Sequence, residues 1–248
     1  MKKLIQLLQS LSLRELHRFE EYLQSPIFNK SQKCLTLFRC LKKEAPDFDV
    51  REAQLLSQVF VNGTKLDLSV LCSKLLRLLE GFLIFLKQEK QTNYQKHLLF
   101  ETLLERSQTK HFQFVWKKAI KDFDKQIVKR EEDYHARYLW EFDYYRHQLQ
   151  YRTKHQKIDI QPLLDAFEVN QGIGKLRHIN TAKQLYNSTN QLIEVFLEDD
   201  FLQSLQNQSW SKNPLLELHY SIYHLLNRGN ESDFELLKTN LKKSSSSI

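Results

Sequence analysis

Glycine and proline are scarce in this chain, with five and four residues in 248, against roughly 12% of average usage for the two together. Phe82 to Gln161 contains neither. The turns of a hairpin-rich sheet protein draw on these residues for positive φ and for a fixed φ, so an all-β fold is all but excluded. Strand-forming aliphatics are also few: 8 valines and 12 isoleucines stand against 43 leucines, which favours helix. Cys34, Cys40 and Cys72 are odd in number and form no Cys-x-x-Cys pair, so they read as reduced, buried thiols rather than a disulfide framework. Long apolar runs are missing as well. The longest, Gly81 to Leu86, falls far short of the roughly 20 residues that span a bilayer. The opening Met1-Lys2-Lys3-Leu4-Ile5 is interrupted by Gln6, Gln9 and Ser10 and meets no small-residue cleavage site. A cytoplasmic location is the expectation.

The chain is 41% apolar, enough for one large core or two small ones. The fold expected is all-α, an array of about eleven antiparallel helices packed as irregular, tetratricopeptide-like helix hairpins. It is read as a single helical-array domain over 1–243, with a subdivision into 1–108 and 109–243 as the alternative. Residues 244–248 read as a disordered tail. Punctuation supports this reading. Ser12 and Glu15 make a capping box before Leu13 to Gln24, which Ser25-Pro26 ends. Ile27 and Phe28 are placed to cover the base of that hairpin, and Asn29 to cap the next helix, Ser31 to Glu44. Asp49 and Glu52 repeat the capping pattern before Arg51 to Phe60. Pro162 and Pro214 suit the first turn of new helices, and Gly172 and Gly174 are expected to kink or interrupt the first of these. The last two segments, Pro214 to Asn227 and Ser232 to Lys243, begin about half a tetratricopeptide period apart.

Two segments show how the helices pack. From Leu66 onward, Leu68, Leu71, Leu75, Leu78, Leu79, Phe82, Leu83, Phe85 and Leu86 cover an arc of roughly 160°, so this helix must be central. Asp133 to His155 has two stripes. Tyr134, Tyr138, Phe142, Tyr145 and Leu149 share one face; Trp140, Tyr144 and Tyr151, flanked by Arg137 and His147, lie opposite. Such a helix is either sandwiched between neighbours, as in stacked repeats, or turns its second stripe to a partner. On the latter reading Arg137, Trp140, Tyr144, His147 and Tyr151 are the candidate partner-binding residues.

Leu13-Arg14-Glu15-Leu16-His17-Arg18-Phe19, followed by Tyr22-Leu23-Gln24-Ser25-Pro26-Ile27-Phe28-Asn29 and by Leu35 with Leu37-Phe38, resembles the opening "ELxxFxxFLxSPyFN" pattern of an uncharacterised bacterial family of all-helical proteins. The resemblance resumes at Asp133-Tyr134-His135, Arg137-Tyr138-Leu139, Leu163 to Phe167 and Lys175-Leu176-Arg177. It implies a tetratricopeptide-like helical array and carries no activity with it. Members of the group tend to continue a helix where this chain has Gly172-Ile173-Gly174, and they generally extend beyond the point where it ends.

No motif points to a reaction. Gly172-Ile173-Gly174-Lys175 fails as a phosphate loop, because Val169 stands where a glycine is needed and Leu176 where Ser or Thr is needed. The nine histidines show no i,i+4 metal pair with a nearby carboxylate, so no metal or cofactor is expected. Glu131-Glu132-Asp133 and Asp199-Asp200 suit helix N-termini. The expectation is therefore a non-enzymatic helical scaffold for a protein or peptide partner. The alternative rests on charge. The chain carries a net +7, and residues 106–157 hold 13 basic and 7 acidic side chains. There Lys117, Lys118, Lys121, Lys125 and Lys129 accompany Phe112, Phe114 and Trp116, a pattern open to nucleic-acid binding.

Overall fold

The computed structural model describes residues 1–152, 157–207 and 213–228 together with Lys238. Eleven helices and no strand occur among the described residues, so the all-α expectation holds. The expected helix 232–243 and the tail 244–248 fall outside that description, apart from the helical Lys238.

The chain forms two compact units, Met1–Gln91 and Thr92–Ile248. The division comes earlier than the expected 108/109 alternative, because the helix following Gln91 shares its core with the helices after it rather than with those before.

In the first unit α1 (Lys2–Gln9), α2 (Leu13–Gln24), α3 (Gln32–Lys42) and α4 (Glu52–Val59) all pack against α5 (Lys65–Lys90). The broad apolar arc of α5 requires this. Leu68, Leu71, Leu75, Leu79, Phe82 and Leu86 are buried, and Leu78, Leu83 and Phe85 pack half-buried around the same core. Phe19 sits at its centre, 4.8 Å from Phe38 and 5.2 Å from Phe82 between ring centroids. Each such ring contributes roughly 1.5–3 kcal/mol through burial. The Ser12–Glu15 capping box forms as expected. A second, at Thr64 and Asp67, starts α5.

Three local expectations are corrected here. Asp49 and Glu52 make no capping box, because Arg51 is the N-cap of α4 and its side chain makes no capping bond. Asn29 does not cap α3, whose N-cap is Ser31. Instead its buried amide donates to the Leu23 and Ser31 carbonyls and its Oδ1 accepts from the Ser31 N–H, pinning the loop. Phe28 does cover the hairpin base, stacking on Tyr22 at 4.2 Å, but Ile27 is 84% exposed.

The second unit comprises α6 (Thr92–Glu105), α7 (Thr109–Lys125), α8 (Glu131–Tyr151), α9 (Gln161–Thr189), α10 (Glu198–Asn207) and α11 (Pro214–Arg228). α8 is sandwiched. Trp140 meets Phe100 of α6 and Phe123 of α7, at 6.0 and 6.1 Å. From the other stripe, Tyr138 meets Phe167 of α9 at 5.6 Å. The acidic triplet Glu131 to Asp133 and the acids Glu198 to Asp200 occupy helix first turns, where the helix dipole favours them. α9 runs unbroken through Gly172 and Gly174, contrary to the expected interruption. Ile173, Leu176 and Ile179 are buried along it, and it packs against α8 and α11; this burial outweighs the roughly 1 kcal/mol that each glycine costs in a helix.

A chain so poor in glycine must close its helices with other residues. Ser107 takes a left-handed conformation (φ 55°) after α6; its N–H reaches the Leu104 carbonyl while the Gln108 N–H reaches Leu103, the paired bonds of a Schellman cap. Asn190 is also left-handed after α9 (φ 58°), but its N–H makes the single bond to the Tyr186 carbonyl of the simpler αL cap.

Candidate functional site

A cavity of about 280 Å³ lies along α8 and is lined by residues of α7, α8 and the segment entering α9. Trp116 and Tyr144 stack face to face on its wall, centroids 3.9 Å apart and planes 12° from parallel. The Trp116 indole N–H donates to the Trp140 carbonyl at 3.1 Å, which fixes the ring. One and two helical turns before Tyr144, Glu141 and Arg137 also reach the cavity. An Arg137 Nη lies 2.8 Å from Glu141 Oε1, and the other 3.4 Å from Asp124 Oδ1. Asp159, Tyr145, Gln148, Pro162 and Leu163 complete the lining.

Charge in this cavity is unbalanced. One guanidinium serves Glu141 and Asp124, and Asp159 adds a further carboxylate. Burial pushes the Glu141 carboxyl above the usual range; Arg137 opposes that rise, while Asp124 and Asp159 add to it. Gln148 Oε1 is buried and has no hydrogen-bond partner among the described residues.

Of the five candidate partner-binding residues, the structure brings Arg137 and Tyr144 to the cavity. Trp140 and His147 are withdrawn from the surface, which corrects their expected role as accessible contacts. Ala136, Trp140, Asp143 and His147 recur at intervals of four, three and four and form the buried seam of α8, so these two rings serve the core. Trp140 donates to the Asn93 carbonyl at 3.1 Å, and His147 stacks on Phe112. Tyr151 is exposed beside His147 and does not line the cavity. The sequence marks Trp116 only within the nucleic-acid alternative and does not mark Glu141; the i,i+4 spacing of Arg137 and Glu141 is the signal available for the pair.

The lysine-rich face of α7 is only partly as the sequence suggests. Lys117, Lys118, Lys121 and Lys125 are exposed, but Lys129 donates to the Gln126 carbonyl and lies over the Phe123 ring. Phe112 is buried and Trp116 is stacked, so Phe114 is the one exposed ring of the three.

A second polar group lies between α6 and α8. His97 and Glu101 are four residues apart on α6, with Nε2 3.7 Å from Glu101 Oε2. His97 Nδ1 is 2.7 Å from Asp143 Oδ2. Burial pushes the Asp143 carboxyl up to about 6, and the His97 hydrogen bond opposes it. This group contains a single histidine, so the absence of an i,i+4 histidine pair does not bear on it. The His97–Glu101 interval was legible, but Asp143 comes from 42 residues further along the chain.

Compared with protein-family models, curated proteins and solved structures, the chain matches none. Among the described residues, no helix is long and apolar enough to cross a membrane.

Proposed function

We propose that the protein is a non-enzymatic helical scaffold, an irregular tetratricopeptide-like array, that binds a protein or peptide partner through the α8 cavity. The partner inserts a cationic side chain, arginine or lysine, against the Trp116–Tyr144 stack. The observation that carries this reading is the excess of carboxylate over guanidinium beside the half-buried Trp116–Tyr144 stack. A cation over an aromatic face gains about 0.5–2 kcal/mol, and a charged hydrogen bond to a carboxylate about 1.5–3 kcal/mol. A cavity of about 280 Å³ accommodates one long side chain and little more. Recognition here requires shape and charge, with no group consumed and no cofactor.

The test is a fluorescence titration with a short acetylated peptide bearing a central arginine, run against the same peptide with glutamine there. Quenching that saturates at least tenfold lower in peptide concentration for arginine, and that weakens in Glu141→Gln, supports the proposal. Equal responses to the two peptides would overturn it.

A further inference from the structure

Asp143 is fully buried on the seam of α8, and only one of its oxygens is used in a hydrogen bond. Oδ1 has no hydrogen-bond partner among the described residues; the nearest cation, the Arg146 guanidinium, is 3.6 Å away, beyond hydrogen-bonding reach. The same guanidinium is 3.7 Å from Glu101 Oε1. His97, Glu101 and Asp143 each offer a ligand atom, and these atoms lie within 4.8 Å of one another. From this juxtaposition we propose that His97, Glu101 and Asp143 form a divalent-metal site matched to zinc, with Arg146 as a built-in counter-ion that the metal displaces.

The donor set selects the ion. One imidazole and two carboxylates, with a fourth position left to water, suit zinc at about 2.0–2.2 Å. Calcium and magnesium surround themselves with oxygen ligands, from carboxylates, carbonyls and water, and make no use of the imidazole that this site contributes. The i,i+4 spacing sets His97 and Glu101 one above the other on a single face of α6, while Asp143 closes the site from α8.

Mobility is distributed as metal capture requires. Asp143 and His97 are fixed by burial, whereas the Glu101 and Arg146 side chains are 39% and 47% exposed. The metal takes His97 Nδ1, the nitrogen that faces Asp143, so the half-exposed Glu101, now beside Nε2, swings to that side of the ring and Arg146 swings into solvent. Charge also permits the exchange: two carboxylates against one guanidinium leave one negative charge with a neutral imidazole, and a divalent ion in place of the guanidinium brings the sum to zero. The site is separate from the Glu141 cavity, so neither proposal depends on the other.

Zinc binding to the metal-stripped full chain, followed by competition with a chromophoric chelator, tests the idea. Cobalt(II) provides a second readout, because this site contains no sulfur and its spectrum must lack thiolate charge transfer. That separates it from Cys34, Cys40 and Cys72. The expected result is one such ion per chain, bound at least tenfold more weakly in Glu101→Gln and tenfold more tightly in Arg146→Gln. A purely structural Arg146 would leave affinity unchanged. Glu101 is half exposed, so its variant keeps the test decisive even where His97→Ala or Asp143→Asn fails to fold. Absence of metal uptake, a thiolate spectrum, or affinities that do not move in Glu101→Gln and Arg146→Gln would each overturn the proposal.

Discussion

His147 lies against Phe112 with ring centroids 4.9 Å apart and planes 23° from parallel. It is buried, and neither ring nitrogen has a hydrogen-bond partner among the described residues. Burial holds its pKa below the ordinary value. Below about pH 6.5 the unfolded chain therefore binds a proton that the folded chain resists, and stability is lost as pH falls. His147→Phe keeps an aromatic ring among Phe112, Tyr144 and Tyr151 and removes two unsatisfied polar atoms. The variant is expected to be about 1 kcal/mol more stable at pH 7, with a larger gain at pH 5. Urea denaturation at the two pH values measures this. A gain that shrinks toward acid would contradict the account.

Ser107 adopts a backbone conformation that costs a residue with a Cβ about 1–2 kcal/mol. Ser107→Gly removes that strain, at the expense of a more flexible unfolded chain. The net expectation is a gain of about 0.5–1 kcal/mol, read as a rise in Tm, with the α6–α7 connection unchanged. A fall in Tm would mean that the serine side chain supports the cap in a way the Leu103 and Leu104 bonds do not account for.

Two of the helix-interior glycines, Gly81 of α5 and Gly174 of α9, have different surroundings. A Cβ built on Gly174 meets nothing within 4 Å, whereas one on Gly81 comes 3.0 Å from the Tyr22 hydroxyl. Tyr22 is held by its stack on Phe28 and yields poorly. Gly174→Ala should therefore add about 0.5–1 kcal/mol through helix propensity, while Gly81→Ala should lose that benefit to the displaced ring. Thermal melts of the two variants side by side decide the matter; equal gains would show that Tyr22 is free to move.

Helix positions were legible in the sequence where the signal is local. The arc on α5 and the double stripe on α8 come from spacing within one helix, and burial at Leu75 and Leu79 and the sandwiching of α8 bear them out. Gly172 and Gly174 misled because intrinsic cost is small beside the burial of Ile173 and Leu176. The site residues were less legible because their meaning comes from other helices. Trp140 and Tyr144 look alike on a helical wheel, yet Phe100 and Phe123 bury the first while Trp116 stacks on the second. Asp143 reads as one more solvated acid until α6 places His97 beside it.

Arg137 and Glu141 form a pair whose carboxylate is almost wholly buried while the guanidinium keeps about a fifth of its exposure. Removing one partner of a buried pair leaves an uncompensated charge and costs more than removing both. Arg137→Met is thus expected to destabilise the fold by about 2–4 kcal/mol at pH 7, and the double variant Arg137→Met/Glu141→Met to recover most of the loss. The pH dependence has a definite sign. The Glu141 carboxyl already stands above its ordinary range through burial, and losing Arg137 raises it further. The folded state then holds a proton that the unfolded state has released, so stability falls as pH rises above about 4.5. The deficit of Arg137→Met relative to the parent chain should therefore narrow from pH 7 to pH 5. A deficit that is constant with pH, or a double variant no more stable than the single one, would mean that Arg137 acts by packing alone rather than by compensating the Glu141 charge.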